Sequence, residues 1–290
     1  FYSFFNLNYI YPELSDYPDI IEIAKTENFT NLPKLEDIKG DLHIHTNLSD
    51  GVNSIKEITN CIKTKNKTGK LNYEYIGITD HVDYIISKND KKDLRELKEY
   101  IKTNIASKEL RVILGVEENI DENGDLLSDK LNIDSFYEFK NSVSYINASV
   151  HSNFNLPQLQ QYQRLIKVCT RKDYNLLIIS HLTARILGIR NPINLSMDQV
   201  LEILYKANEN NKYIEINCHL DRLDVDHTIL REYKFRYNSF PKVAISTDSH
   251  NVNHLDYMEF GVKIARKALI PKTHILNTLL YEELEKKIII

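Results

Sequence analysis

The sequence predicts an α/β protein whose parallel strands close into a barrel, and three observations carry that expectation. Short apolar runs alternate with helical patterns from Gly40 onward. Most runs are near-continuous in Ile, Val and Leu, as strands covered on both faces are. The strand–helix units follow one another without a Pro-, Gly- or Ser-rich linker, so one domain over residues 37–290 is the economical reading.

In order, the runs fall at 41–45, 75–79, 112–116, 145–150, 176–180, 213–217 and 243–247. Ser54 and Glu57 form a capping box, after which Ile55, Ile58 and Ile62 recur on one helical face. Ser196 and Gln199 repeat the device ahead of Val200, Leu201, Leu204 and Ala207. Residues 93–105 and 156–168 are also periodic enough to predict helix. Seven units fall short of the eight-stranded barrel, so an incomplete relative of that fold is expected. Residues 1–36 read differently, as an irregular arm with one short helix, outside the barrel core.

Composition narrows the function classes. The chain is 42% hydrophobic and 27% charged, the balance of a soluble globular protein, and no apolar run reaches the ~18 residues that cross a bilayer. Net charge is -4, and the sequence pI is near 6.2, low for a nucleic-acid binder that relies on a broad basic face. Cys61, Cys169 and Cys218 are widely spaced, which gives neither a disulfide framework nor a zinc-ribbon pattern. A reducing compartment, the cytoplasm, is expected. Cys61 and Cys169 fall on apolar helix positions and read as core, whereas Cys218 could face the pocket. The first residue is Phe1, and no basic segment leads into an apolar one, so no signal peptide is expected; the chain reads as processed or as a fragment of a longer one.

The chemistry sits at the ends of the runs. The first ends in His43-Ile44-His45, with Asp50 in a following Ser-Asp-Gly turn. Alternate strand residues point the same way, so His43 and His45 can grip one ion. Later runs end in Asp80-His81, Glu117, His151, His181 and Asp248-Ser249-His250. The candidate ligands are thus His43, His45, Asp50, His81, Glu117, His151, His181, Asp248 and His250. A lone strand histidine is more often a satisfied structural residue than a ligand. Here that reading would have to hold at the same end of successive strands, on the face where barrels keep their active sites. Imidazole and carboxylate together suit zinc, manganese or iron. Nine donors exceed what one catalytic ion takes, so two or three divalent ions are expected, with Glu117 as a bridge. Such sites suit phosphate chemistry, because bound ions acidify a water and polarise phosphoryl oxygens. His227, His254 and His274 read as surface residues, and His219 as at most a neighbour of the site.

At these residues the sequence resembles the polymerase-and-histidinol-phosphatase (PHP) superfamily. The matching segments are Asp41-Leu42-His43-Ile44-His45-Thr46 with Ser49-Asp50-Gly51, Ile78-Thr79-Asp80-His81, Gly115-Val116-Glu117, Ser149-Val150-His151-Ser152, Ile179-Ser180-His181 and Ser246-Thr247-Asp248-Ser249-His250. The resemblance implies a distorted seven-stranded (β/α) barrel, TIM-barrel-like, with a trinuclear manganese or zinc site. It implies that His43, His45, Glu117 and Asp248 hold one ion, that Glu117, His151 and His181 hold a second, and that Asp50, His81 and His250 hold the third. The segments around Thr183-Ala184-Arg185, Asp221-Arg222-Leu223-Asp224 and His254-Leu255-Asp256-Tyr257-Met258 look like the C-terminal PHP domain of bacterial and archaeal family X DNA polymerases. Residues 1–36 look like the joint to the polymerase region of such proteins. Leu182 stands after His181 where the family usually has Pro.

The expected function is therefore metal-dependent hydrolysis of DNA 3′ ends by a hydroxide bridging the ions: a 3′–5′ exonuclease, with 3′-phosphatase and abasic-site endonuclease activity attached to the same family. Glu117, His81 and Asp248 are the catalytic candidates. Arg185, Arg190 and Arg222 follow strand ends five and six and are the candidate phosphate or sugar contacts. The expected partners are DNA and a polymerase domain in the same or another chain, with no membrane. Two alternatives stand beside this: a small-molecule phosphatase of the histidinol-phosphate type, and a non-catalytic PHP module of a polymerase assembly.

Overall fold

The computed structural model describes residues 2–86, 98–99, 101 and 109–288. The strands are β1 (Gly40–Asp41), β2 (Tyr75–Ile78), β3 (Arg111–Leu114), β4 (Val116–Asn119), β5 (Ile146–Ser149), β6 (Leu177–Ile179), β7 (Tyr213–Asn217) and β8 (Val243–Ser246). The helices are α1 (Ile20–Thr26), α2 (Ile55–Lys67), α3 (Val82–Ile86), α4 (Ile133–Ser142), α5 (Gln158–Cys169), α6 (Met197–Glu209), α7 (His227–Tyr237), α8 (Met258–Lys267) and α9 (Tyr281–Ile288). Both predicted capping boxes are present at α2 and α6. The helix expected over 93–105 lies almost wholly outside the described residues. Among those described, no helix is long and apolar enough to cross a membrane.

Among the described residues every strand pairing is parallel, but in place of the expected single seven-stranded barrel there are eight strands in two sheets, β1-β2-β3 and β4-β5-β6-β7-β8. The third apolar run divides at Gly115. Before it, Ile78 pairs with Leu114; after it, Val116 pairs with Ile146. The run thus serves two neighbours in succession. Gly115 lies under the Tyr145 ring, where an added Cβ would fall 2.5 Å from Cζ, and the Tyr145 hydroxyl donates to the Leu42 carbonyl at 3.0 Å. The two sheets touch at two isolated parallel bridges, Ile44–Ser249 and His81–Glu117.

Strand alternation explains where the site falls. Ile76 and Ile78, Leu177 and Ile179, Ile214 and Ile216, and Val243 and Ile245 belong to the large apolar core. The opposite parity supplies a smaller cluster that includes Tyr75, Ile113, Tyr145, Ile178, Tyr213 and Ala244. Followed along each strand, this second parity turns polar: Ile113-Gly115-Glu117, Tyr145-Asn147-Ser149-His151, Tyr213-Glu215-Asn217 and Ala244-Ser246-Asp248. Its apolar end is packed and its polar end is the site.

Besides α1 the arm holds short 3₁₀ helices at Tyr2–Phe5 and Pro12–Leu14, and it forms its own apolar cluster of Ile10, Leu14, Ile20, Ala24, Phe29 and Leu32, touching Leu269. It is fixed to the end of α8 by the Glu13–Arg266 ion pair, by Arg266 over the Tyr11 ring at 4.5 Å, and by Asp16–Lys267 at 2.8 Å.

Candidate metal centre

All nine predicted donors converge, and Glu117 lies among them. Its Oε2 lies 3.4 Å from His43 Nε2, 3.3 Å from His45 Nε2 and 3.3 Å from His81 Nδ1. Its Oε1 lies 3.2 Å from His151 Nε2 and 3.0 Å from His181 Nε2. Asp248 Oδ1 stands 3.5 Å from His43 Nε2 and 3.3 Å from His45 Nε2. Asp50 Oδ2 is 3.3 Å from both His81 Nε2 and His250 Nε2, while Oδ1 is 3.4 Å from His45 Nδ1.

These separations fit metal ligation. Two donors about 2.1 Å from one ion stand roughly 3.0–3.4 Å apart in octahedral or tetrahedral geometry. Among the described residues three groups bring one donor atom from each residue within 4.8 Å of the others: His45, Asp50, His81 and His250; His43, His45 and Glu117; His81, Glu117 and His151. Glu117, the expected bridge, occurs in two groups, and so do His45 and His81, each of which the resemblance assigned to a single ion. His43 Nε2, both ring nitrogens of His45, and His181 Nδ1 are buried without a hydrogen-bond partner. Buried polar atoms are rarely left so, and bound cations would satisfy those facing the carboxylates.

Local structure presents the donors. Asp80, which the sequence reading did not place in the site, accepts from the Thr46 amide and hydroxyl, both at 2.7 Å, and from Ser49 Oγ at 2.5 Å. It thereby shapes the turn that carries Asp50. Gly51 closes that turn against the His45 carbonyl, where an added Cβ would come within 2.5 Å. Asp41 accepts from the amides of His43 and Thr247 at 3.1 and 3.2 Å, which ties the first strand to the last. Glu215 accepts from His43 Nδ1 at 2.6 Å, the His181 amide at 2.8 Å and Asn217 Nδ2 at 2.9 Å. The available signal for Glu215 was a carboxylate in mid-strand, two residues before Asn217. His181 and Asp248 have positive φ, 29° and 53°, a strained backbone that such surrounding contacts must hold.

Burial and the facing groups set the protonation pattern. Burial pushes Glu117 upward, but the imidazoles of His151 and His43 outweigh it and hold its carboxyl well below the usual range. Asp248 is held low in the same way by His43 and His45. Burial would lower His43, yet Asp248, Glu215 and Glu117 raise it well above the usual imidazole value. His181 goes the other way, down to about 3, because burial and the nearby Arg222 guanidinium both disfavour its cation.

Seven of the nine donors line a cleft of about 260 Å³, with His43 and His45 beneath it, and Asp83, Tyr84 and Arg222 complete the lining. Of the three candidate arginines, only Arg222 reaches the cleft: its Nε is 3.2 Å from Asp248 Oδ2 and its Nη1 is buried without a partner. Arg185 is committed elsewhere, to the carbonyls of Arg222 and Leu223 and to Asp226 at 3.0 Å. Arg190 donates to the Ala184 carbonyl at 2.8 Å and lies 3.7 Å over the Phe154 ring. Cys218 is buried in the core against Gly261, away from the cleft. His227, His254 and His274 are half-buried rather than exposed. His254 stacks on Tyr257 at 5.0 Å and accepts from the His250 amide at 3.3 Å, and His219 meets it edge-on at 4.9 Å, so both back the site.

Residues 41–219 match the PHP domain model. The chain is 31% identical to the DNA polymerase/3'-5' exonuclease PolX of Bacillus subtilis (strain 168) over 98% of its own length, and spans 46% of that relative. Among solved structures it is similar to the histidinol phosphate phosphatase of Lactococcus lactis, complexed with zinc, L-histidinol and phosphate, at TM-score 0.50 and 18% identity, covering 79% of this chain and 93% of that one. The chain therefore belongs to the PHP domain family, as a metal-dependent phosphoesterase of that type.

Proposed function

We propose that this chain hydrolyses phosphoester bonds at DNA 3′ ends as a 3′–5′ exonuclease, with 3′-phosphatase and abasic-site cleavage open to the same site. The observation that carries the reading is Glu117, whose two oxygens face five imidazoles on the floor of one cleft. Nucleic acid as the substrate class rests on the relative whose name pairs polymerase with 3′–5′ exonuclease and which matches almost the whole chain.

In this reading His43, His45, Asp50, His81, Glu117, His151, His181, Asp248 and His250 hold two or three manganese or zinc ions. When bound, the ions would acidify a water and offset charge on the phosphoryl oxygens. Glu117 and Asp248 fix the donor array, and His81, between Asp50 and Glu117, links its outer and inner parts. Arg222, held by Asp248, offers its free Nη1 to a phosphoryl oxygen. We read the two sheets, joined at Ile44–Ser249 and His81–Glu117, as one distorted PHP barrel. Residues 1–36 would be the joint to a polymerase region, in this chain or beside another, in the cytoplasm.

Incubation of the manganese-loaded protein with 3′-labelled single-stranded DNA tests the claim: stepwise release of nucleotides is expected. Metal demonstrably bound with no release would sink it. A second reading, hydrolysis of a small phosphomonoester, is favoured by the modest cleft, in which Arg222 is the one lining arginine among the described residues. A substrate panel in which monoesters are cleaved fast and DNA is untouched would select it.

A further inference from the structure

Arg164 on α5 is only 1% exposed, and among the described residues no carboxylate lies within ion-pairing distance of it. Burying an unpaired guanidinium costs several kcal/mol, and an apolar side chain of similar volume would serve the core better. Its contacts show what the charge is used for. Nη1 donates to the Ser152 carbonyl at 3.2 Å and Nη2 to the Asn153 carbonyl at 3.4 Å. Nη2 also donates to Gln161 Oε1, one helical turn earlier, and Gln161 is itself fully buried. Gln161 Nε2 in turn donates to the carbonyls of Asn153 and Phe154, at 3.2 and 2.8 Å. Three successive carbonyls of the turn after β5 are thus held by two buried side chains that hold each other.

That turn begins at His151. From the other side Asn119, two residues beyond Glu117, accepts from the His151 amide at 2.9 Å and donates to Ser152 Oγ at 3.0 Å. Asn153 has a left-handed backbone, φ 55°, which such a clamp holds in place. We propose that Gln161 and Arg164 are positioning residues that hold His151 at the metal cluster. This rests on the metal reading of the cluster given above. Neither side chain touches a donor, so both act through the backbone that carries it.

The test is equilibrium metal binding to the whole chain, by chelator competition with manganese and with zinc, together with amide hydrogen exchange over residues 151–156 of the metal-free protein. The variants are Gln161→Glu, Arg164→Met and, as reference, His151→Ala. Gln161→Glu keeps a partner for Arg164, and so the fold, but cannot donate to the carbonyls. Both clamp variants are expected to weaken the same ion as His151→Ala, by roughly 10- to 100-fold as for other supports of metal ligands. The remaining ions should bind as in the wild type, and exchange at 151–156 should quicken. Wild-type affinity and exchange in Gln161→Glu would overturn the proposal, as would equal loss of every ion by a folded variant. A wild-type chain that takes up no divalent ion overturns the metal reading instead; quickened exchange would then still support the clamp, and unchanged exchange would overturn it.

Discussion

Glu215 and His43 meet at 2.6 Å in the buried interior, and the other oxygen of the same carboxylate takes the His181 amide at 2.8 Å. One buried acid therefore orients candidate donors from the segment after β1 and from the loop after β6. Such outer partners fix the ring orientation and basicity of ligating histidines. Glu215→Gln is expected to weaken metal affinity about 10- to 100-fold while the far-ultraviolet spectrum stays unchanged. Chelator competition measures it, and wild-type affinity would show that Glu215 is only a core polar group.

Glu117 differs from the other donors in the number of imidazoles it faces. Loss of a peripheral donor such as His250, which pairs with Asp50 at 3.3 Å, should remove about one ion per chain. Glu117→Gln should remove two or more. Elemental analysis of purified variants reads the difference; equal stoichiometry would rule out a bridging role.

Metal uptake should expel protons. Burial alone would lower His43, His45, His81 and His250, but the facing carboxylates raise all four above the ordinary imidazole value. An ion must displace those protons, so affinity rises with pH and binding at neutral pH releases protons. Calorimetry in two buffers of different ionisation heat gives the number directly. No buffer dependence would contradict the protonated metal-free cluster.

The two loop arginines should separate in kind. Arg185→Met removes the support of the 222–226 segment and is expected to lower Tm by several degrees with modest kinetic effect. Arg222→Met should lower kcat/KM by roughly 10- to 100-fold, about 1.4–2.7 kcal/mol of transition-state binding, beyond any loss of Tm from leaving the buried Asp248 without its guanidinium partner. The reverse pattern would exchange their roles.

The convergence of the candidate donors was legible in outline because residues i and i+2 of a strand share a face, although His43, His181 and Asp248 stand beyond the strand ends and the left-handed backbone at the last two left no trace in the sequence. Asp41, Asp80 and Glu215 were harder to read. A carboxylate that accepts backbone amides looks in sequence like any other acid, and the amides of Thr46 and His181 lie 34 residues from Asp80 and Glu215 respectively. The arginines show the same limit. Arg185 and Arg222 both follow strand ends, and only the folded loop decides which guanidinium is consumed by carbonyls. The break at Gly115 also depends on a ring from another strand, Tyr145. Periodicity within one run carries no trace of it.

Asp224 offers a test of buried charge outside the donor set. It is fully buried; Oδ2 accepts from the Thr183 amide at 2.8 Å, while Oδ1 and Thr183 Oγ1 lack partners. Burial pushes its carboxyl up to about 6, although Arg185 pulls the other way. With the folded value above the unfolded one, the folded state favours the proton. That contribution is fully present below about pH 4 and is lost as pH rises through about 6. Asp224→Asn keeps the shape, leaves no charge to bury and gives Thr183 Oγ1 a donor. At about pH 8 the variant should be more stable by up to about 3 kcal/mol, with the difference vanishing near pH 4. Urea unfolding of the metal-free protein across that range checks both ends. A variant no more stable than the wild type at about pH 8 would mean that Arg185 already offsets the buried charge.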